Sequence, residues 1–342
     1  MKMLITGSSG LIGSEAVKFF HDKNHDIVGV DNNFRECFFG PEGNTRPTEK
    51  KLKKLENYKY YNLDIAKTSK LFKKHQFDVI IHCAGQPSHD KSAEDPLRDF
   101  KINALSTVKL LENTRKYSPN AIFIFCSTNK VYGDSPNYCE MEETPTRFIY
   151  KKIKGINENL TLGDMNTIRT PFGVSKLSAD LAVQEYGRYF NLKTGVFRLG
   201  CVTGKAQKGV ELHGFLNYLC KCSKENKEFT IYGYKGKQVR DIIHASDVAN
   251  AFYNFIKIAE KTDRNSSQVF NLGGGTGNSC SILEAIDLVN EISGKKLTTK
   301  YCDQERKGDH ILYITDFQKF KFFCRNWIIK KDLKSIIEEL LK

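Results

Sequence analysis

Through about residue 200 the chain alternates between two hydrophobic patterns. Short runs dense in Val, Ile and Phe read as strands at Lys2–Thr6, Asp26–Asp31, Tyr58–Leu63, Val79–Ala84, Ala121–Cys126 and Thr194–Arg198. Between them, apolar residues recur every three to four positions, which predicts helices over Ile12–Lys23, Ala66–Lys74, Pro96–Lys116 and Ser175–Phe190. Val79-Ile80-Ile81 and Ile122-Phe123-Ile124-Phe125 are near-continuously apolar, as strands covered on both faces must be. The alternation predicts an α/β fold with a doubly wound parallel sheet. Two long polar connections, Asn32–Asn57 and Asp134–Arg169, break the rhythm, and connections of that length are usually functional or mobile. Beyond Arg198 the pattern becomes irregular. We therefore expect a first domain over residues 1–198, rejoined by 240–272, and a smaller C-terminal α/β substrate lobe built from 199–239 and 273–342.

Composition narrows the class. The chain has 342 residues, enough for two domains with a real core, and its 40% hydrophobic and 27% charged residues exclude wholesale disorder. No apolar run approaches the roughly 20 residues of a membrane span, and the apolar stretch at the start is too short for a signal peptide. Ten scattered cysteines without a Cys-x-x-Cys pair read as reduced thiols of a cytoplasmic protein, with no metal site expected. Lys and Arg exceed Asp and Glu by 53 to 40, a net +13. That charge favours an anionic partner, and it is equally explained by a solvated Lys-rich surface. It prompts RNA binding as a weaker rival reading, and no nucleic-acid or membrane partner is expected.

The sharpest motif is Gly7-Ser8-Ser9-Gly10-Leu11-Ile12-Gly13, which follows the first strand and opens the first helix. Glycines there let the backbone turn tightly against a pyrophosphate, and the helix start offers free N–H groups to its charge. The G-x-x-G-x-x-G spacing is the short-chain dehydrogenase/reductase variant of a dinucleotide fingerprint. Asp31, about 20 residues on, suits the hydroxyls of an adenine ribose and disfavours a 2′-phosphate, so NAD is expected over NADP, with Arg35 close by. Asp64 reads either as an adenine contact or as a helix N-cap. His82-Cys83-Ala84-Gly85 ends the fourth strand with small residues that let a ligand pass.

On these motifs the chain resembles the extended short-chain dehydrogenase/reductases, the NAD-dependent nucleotide-sugar epimerase/dehydratase family, over nearly its whole length. Within the family it is similar to the CDP-sugar 2-epimerases. Cys126-Ser127-Thr128-Asn129-Lys130-Val131-Tyr132-Gly133-Asp134, Gly236-Lys237-Gln238-Val239-Arg240-Asp241 and Phe38-Phe39-Gly40-Pro41-Glu42-Gly43 carry that narrower likeness. The resemblance implies a Rossmann-like fold. It also implies epimerisation by transient hydride transfer from a sugar carbon to NAD, a CDP-linked nucleotide-sugar substrate, and a homodimer made through the helices of Pro96–Lys116 and Ser175–Phe190. The cofactor-binding positions it implies are Gly7, Ser9, Gly10, Leu11, Ile12, Gly13, Asp31, Asn32, Asp64, Ile65, Cys83, Ala84, Gly85, Asn103, Ser127 and Lys176. Substrate is expected at Gln86, Thr128, Asn129, His213, Arg240, Arg306 and Asp309. Where the family's dehydratases place an acidic pair, this chain has Asn129 and Lys130, which argues against elimination of water and weakens a sugar-decarboxylase reading.

The resemblance also implies a catalytic trio of Thr128, Lys176 and a tyrosine in a Tyr-x-x-x-Lys pair. The tyrosine position is Phe172, which has no proton to exchange. General acid–base catalysis is worth about 10²–10⁴-fold, so its loss demands an account. Tyr132, Tyr150, His213, Glu211 or Cys201 is a substitute base, or the protein binds NAD and a nucleotide sugar with little turnover, or the reaction differs.

Overall fold

The computed structural model of the chain describes all residues except 164–165, 208, 212–213, 262–266 and 306–307. Strand β1 (Lys2–Thr6), helix α1 (Leu11–His21) and strand β2 (Asp26–Asp31) open the chain. The long connection after Asp31 holds two short helices, α2 (Arg35–Phe39) and α3 (Arg46–Leu52), before β3 (Tyr58–Asn62), α4 (Ser69–Lys74) and β4 (Val79–His82). Helices α5 (His89–Glu94), α6 (Pro96–Phe100) and α7 (Ser106–Tyr117) follow, and then β5 (Ile122–Thr128). The single helix expected over Pro96–Lys116 is thus divided, with a π-helical turn at Lys101–Leu105 joining α6 to α7. The second long connection carries an antiparallel hairpin, β6 (Met141–Glu143) with β7 (Phe148–Tyr150).

Helix α8 spans Thr170–Tyr189, so it starts five residues before the expected Ser175. Pro171 in its first turn supplies a pre-set φ and lacks an N–H that a first turn cannot use, a start signal that the apolar periodicity alone does not carry. The earlier start puts Phe172 inside the helix, one turn ahead of Lys176.

Strand β8 (Lys193–Leu199) completes the first run, followed by β9 (Cys201–Thr203), α9 (Phe215–Glu225), β10 (Phe229–Tyr232), β11 (Val239–His244), α10 (Ala245–Ala259) and β12 (Ser267–Leu272). The last elements are β13 (Ser279–Ser281), α11 (Ile282–Ser293), β14 (Thr299–Cys302), β15 (Leu312–Tyr313), α12 (Gln318–Phe323) and α13 (Leu333–Leu341). Seven strands form one parallel sheet in the order β12-β8-β5-β4-β1-β2-β3, the doubly wound Rossmann-like architecture. Helices α1 and α10 cover one face, where Phe197, Phe252, Phe255 and Phe270 pack; α7 and α8 cover the other over Phe123 and Phe125. Strands β9, β11, β13 and β15 form the sheet of the smaller lobe, with β10 and β14 paired beside it.

Two segments pack elsewhere than the sequence division placed them. Residues 240–244 belong to β11 and hence to the small-lobe sheet, so the return to the large sheet begins with α10. Phe320 and Trp327, expected in the small lobe, pack with Phe197 and Phe317 in the large core. All ten cysteines are free thiols, and among the described residues no helix is long and apolar enough to cross a membrane.

Buried polar groups stitch α8 to the sheet. Asp180, fully buried on α8, accepts a paired contact from Arg198 of β8 (3.0 Å to each carboxylate oxygen) and a hydrogen bond from Ser127 Oγ of β5 at 2.6 Å. Arg198 reaches on to Tyr132 Oη at 3.0 Å, and Tyr132 donates to Asn271 Oδ1 at 2.8 Å. Removing one partner of such a pair strands the other charge in a dry interior. Asp180→Ala is therefore expected to destabilise the fold by about 3–5 kcal/mol, read as a shift in the urea midpoint.

Candidate active site

The carboxyl ends of β1, β2, β4 and β5 open into a cavity of about 510 Å³ that continues into the small lobe. Gly7, at φ +65°, leads from β1 into α1. A Cβ on Gly7 would lie 2.8 Å from the Ala84 backbone nitrogen, and one on Gly13 would lie 2.1 Å from the Gly7 carbonyl oxygen, so only glycine permits this approach of loop, helix and neighbouring strand. Helix α1 starts with no side-chain cap and no acid in its first turn, which leaves its leading N–H groups to an anion. Gly10, Leu11 and Ile12 face the cavity with Gly7 and Gly13.

Asp31 and Asn32 at the end of β2, and Asp64 and Ile65 after β3, line the cavity beyond this cradle. Asp31 accepts from the backbone N–H of Ser9 at 3.0 Å and of Asn33 at 2.8 Å, while burial pushes its carboxyl upward from the usual range. Asp64 does cap the short helical turn after it, accepting from Ala66 N–H at 2.8 Å. The glycine cradle, the uncapped helix start and the acid at the end of β2 fit the pyrophosphate and adenine ribose of NAD.

Cys83, Ala84 and Gly85 continue the wall towards Ser127, Thr128 and Asn129 at the end of β5. Phe172 and Lys176 enter from α8. Lys176 donates to the Cys126 carbonyl at 2.7 Å and lies 4.3 Å above the Phe125 ring. Its burial pulls the ammonium down to about 8. Phe172 is buried and carries no polar group. Thr128 Oγ1 accepts from the Lys130 N–H at 3.3 Å.

Gln86 also lines the cavity, and at the small-lobe end so do Arg240 and Asp309. Asp309 there holds two cations through one oxygen, Arg240 at 2.8 Å and Lys130 at 3.0 Å. Lys130, the residue that replaces an acid of the dehydratase pattern, thus becomes half of a cationic pair. Asp241, next to Arg240, turns away: its buried carboxylate accepts from Gly275 and Thr315 N–H groups, and a Cβ on Gly273 would strike it at 2.2 Å. The glycines after β12 therefore form a turn around Asp241.

Two expected cofactor residues lie behind the wall. Ser9 is buried, contributing its N–H to Asp31. Asn103 is buried in a polar knot, bonding Gln86 N–H and carbonyl, Asp99 and Ser175, so it fixes the loop after β4. His213 and Arg306 lie outside the described residues. Of the suggested substitute bases, Tyr132 and Tyr150 are turned away from the cavity, bound to Asn271 and to the Leu312 carbonyl. Cys201 lines it as a thiol pushed up to about 12 by burial, and Glu211 lines it while accepting from Tyr232 Oη at 3.0 Å.

Two features escaped the sequence reading. His89, at the start of α5, lines the cavity with its ring stacked on Phe172. Cys83, just past the end of β4, and Cys126, on the adjacent β5, bring their sulfurs to 3.5 Å beside Lys176. Neither contact has a local signal; each joins elements far apart in sequence.

A model of the NAD dependent epimerase/dehydratase family matches residues 3–273. The CDP-paratose 2-epimerase of Salmonella typhi is 33% identical over 336 residues, covering 93% of this chain and 92% of that protein. A putative UDP-glucose 4-epimerase of Methanocaldococcus jannaschii is 28% identical, covering 99% and 97%. The crystal structure of UDP-glucuronic acid 4-epimerase from Bacillus cereus, in complex with UDP-glucuronic acid and NAD, superposes with a TM-score of 0.79 at 25% identity, covering 100% of this chain and 98% of that one.

The lysine makes a prediction about stability. Its folded pKa of about 8 lies below the usual 10.5, so burying the ammonium costs stability at lower pH and that cost is relieved as pH rises between the two values. The stability of the nucleotide-free protein relative to its Lys176→Met variant should rise by roughly 3 kcal/mol across that window. Paired chemical denaturation near pH 7 and near pH 10 reads it; a flat difference contradicts the assignment.

Proposed function

The chain belongs to the NAD dependent epimerase/dehydratase family, a family of NAD-dependent enzymes, and we propose that it epimerises a CDP-linked sugar in the manner of CDP-paratose 2-epimerase. The observation that carries the reading is the continuity of one cavity, from the glycine cradle and Asp31, past Thr128 and Lys176, to the Arg240–Lys130 pair. Bound NAD supplies a reversible acceptor for hydride.

The chain's own residues supply the rest. The α1 start and the glycines hold the pyrophosphate of the cofactor, and Asp31 its adenine ribose. Lys176, fixed by the Cys126 carbonyl, orients the nicotinamide ribose with its charged head. Thr128 offers its hydroxyl to the reacting sugar oxygen. Arg240 and Lys130 meet the substrate pyrophosphate, where a guanidinium fork suits phosphate oxygens. Asp309, which bridges the two cations, then turns to a ribose hydroxyl. Asn129 and Lys130 leave no carboxyl group at the acidic pair's positions, so the site keeps the sugar's hydroxyls.

Phe172 favours one second reading, a protein that binds NAD and a nucleotide sugar with impaired turnover. A single assay separates them. The protein, purified with its nucleotide, is incubated in D₂O with CDP-paratose, CDP-glucose, UDP-glucose and UDP-glucuronate. We expect a CDP-sugar to be epimerised and its inverted carbon to carry protium, because hydride transfer returns the substrate's own hydrogen. Deuterium at that carbon contradicts the mechanism, and no conversion of any of the four supports the binding reading.

The assembly reading is a homodimer, located in the cytoplasm. Leu97, Phe100, Leu105, Val174 and Leu181 are exposed large apolar side chains on α6, the turn after it and α8, which pack against one another. A grouped apolar surface of this kind marks an interface. Light scattering should give a dimer at micromolar concentration, and the Leu97→Glu/Leu181→Glu variant a folded monomer; a monomeric wild type refutes it.

A further inference from the structure

The geometry points to His89 as the acid–base residue that serves the reacting sugar hydroxyl in place of the missing tyrosine. The inference rests on the epimerase reading and names the group it leaves open.

The imidazole of His89 stacks on the Phe172 ring at 14° between planes and 6.2 Å between centroids. Both rings line the cavity that holds Thr128 and Lys176. A phenol at position 172 would carry its oxygen at the ring edge; His89 is the imidazole stacked on that ring within the same cavity. The two rings are held in register by one hydroxyl. Ser92 Oγ, buried, donates to the His89 carbonyl at 2.6 Å and accepts from the Phe172 N–H at 3.0 Å. That bridge ties the first turn of α5 to the first turn of α8.

The backbone before His89 is equally fixed. Ser88 caps α5, accepting from Lys91 N–H at 3.3 Å, and its own N–H is held by the Gln86 side chain. Gln86 Nε2 donates to Asp99 Oδ1 at 2.8 Å, and Asp99 also takes the Ser175 hydroxyl of α8. Among the described residues of the cavity, the other groups weighed as bases are less suited. Cys201 is held protonated, and Glu211 is exposed and engaged by Tyr232. Histidine is the side chain most often used for general acid–base transfer.

The step balances within the family's reaction. The sugar O–H bond breaks and an N–H bond forms on neutral His89. The O–H electron pair becomes the second bond of the carbonyl as the C–H pair leaves as hydride to the bound NAD. On the return of the hydride to the carbonyl carbon, the imidazolium gives its proton back to the oxygen, and enzyme and cofactor are regenerated.

The test combines turnover with a footprint. With the nucleotide sugar that the wild type converts, His89→Asn should lose about 100-fold or more in kcat, with KM within threefold and bound NAD retained. Adding Phe172→Tyr to that variant should restore at least tenfold by returning a phenol. Independently of turnover, carbethoxylation of wild-type His89 by diethyl pyrocarbonate, read by peptide mass spectrometry, should fall at least fivefold when CDP-glucose or UDP-glucose saturates the site. Unchanged kcat in His89→Asn, or undiminished labelling under saturation, overturns the assignment while the epimerase reading stands. A wild type that converts no nucleotide sugar overturns both.

Discussion

Asp180 is the carboxylate on which the docking of α8 depends. It sits at the centre of α8 with no exposed surface and joins that helix to both β5 and β8. Helix α8 bears Phe172 and Lys176, and β5 ends at Thr128. The distance between lysine and threonine is therefore set by a charge pair buried beneath them rather than by the surface loops. Burying an ion pair is seldom a net gain in stability. Here the pair gives one permitted docking of a helix on a sheet, since any sliding of α8 would part the guanidinium from two carboxylate oxygens at once.

The cavity above is organised by charge. Its cofactor end has an acid, Asp31, and an uncapped helix start; its far end has the cations Arg240 and Lys130. Both ends are suited to phosphates by different means, backbone N–H groups in one case and side-chain cations in the other. The middle is lined by small or neutral groups, with Lys176 the exception. His82, directly below, is pulled down to about 3 by burial and the nearby lysine, so as a neutral ring it simply links Thr6 to Thr107. Among the described residues that line the cavity from α8, Lys176 is the only cation.

What could be read from the sequence was what local chemistry dictates. Gly7 and Gly13 follow from backbone clearance, Asp31 from strand length, and the β4 and β5 runs from burial on both faces; each appears in the structure where its spacing put it. The start of α8 was missed because periodicity weighs apolar positions, and the residues ahead of Ser175 announce a helix through Pro171 instead. Asn103 was carried into the cofactor set by resemblance, and its amide bonds Gln86 in the loop after β4, Asp99 of α6 and Ser175 of α8. His89, Ser92 and Phe172 become neighbours only when α5 packs on α8, a contact between segments about 80 residues apart in sequence. No window along the chain contains it.

The retained lysine makes sense of the lost phenol. In a Tyr-x-x-x-Lys pair the ammonium does two things, holding the nicotinamide ribose and drawing down the tyrosine's pKa. A base other than a phenol needs only the first. Lys176 is seated for it: the Cys126 carbonyl and the Phe125 face hold the head group, with burial drawing the ammonium down to about 8. Phe172 in turn keeps the shape of the aromatic position without its hydroxyl, and its ring stacks on the His89 imidazole. The substitution at 172 is then one half of a change whose other half lies on α5, and the two halves are joined by the Ser92 hydroxyl.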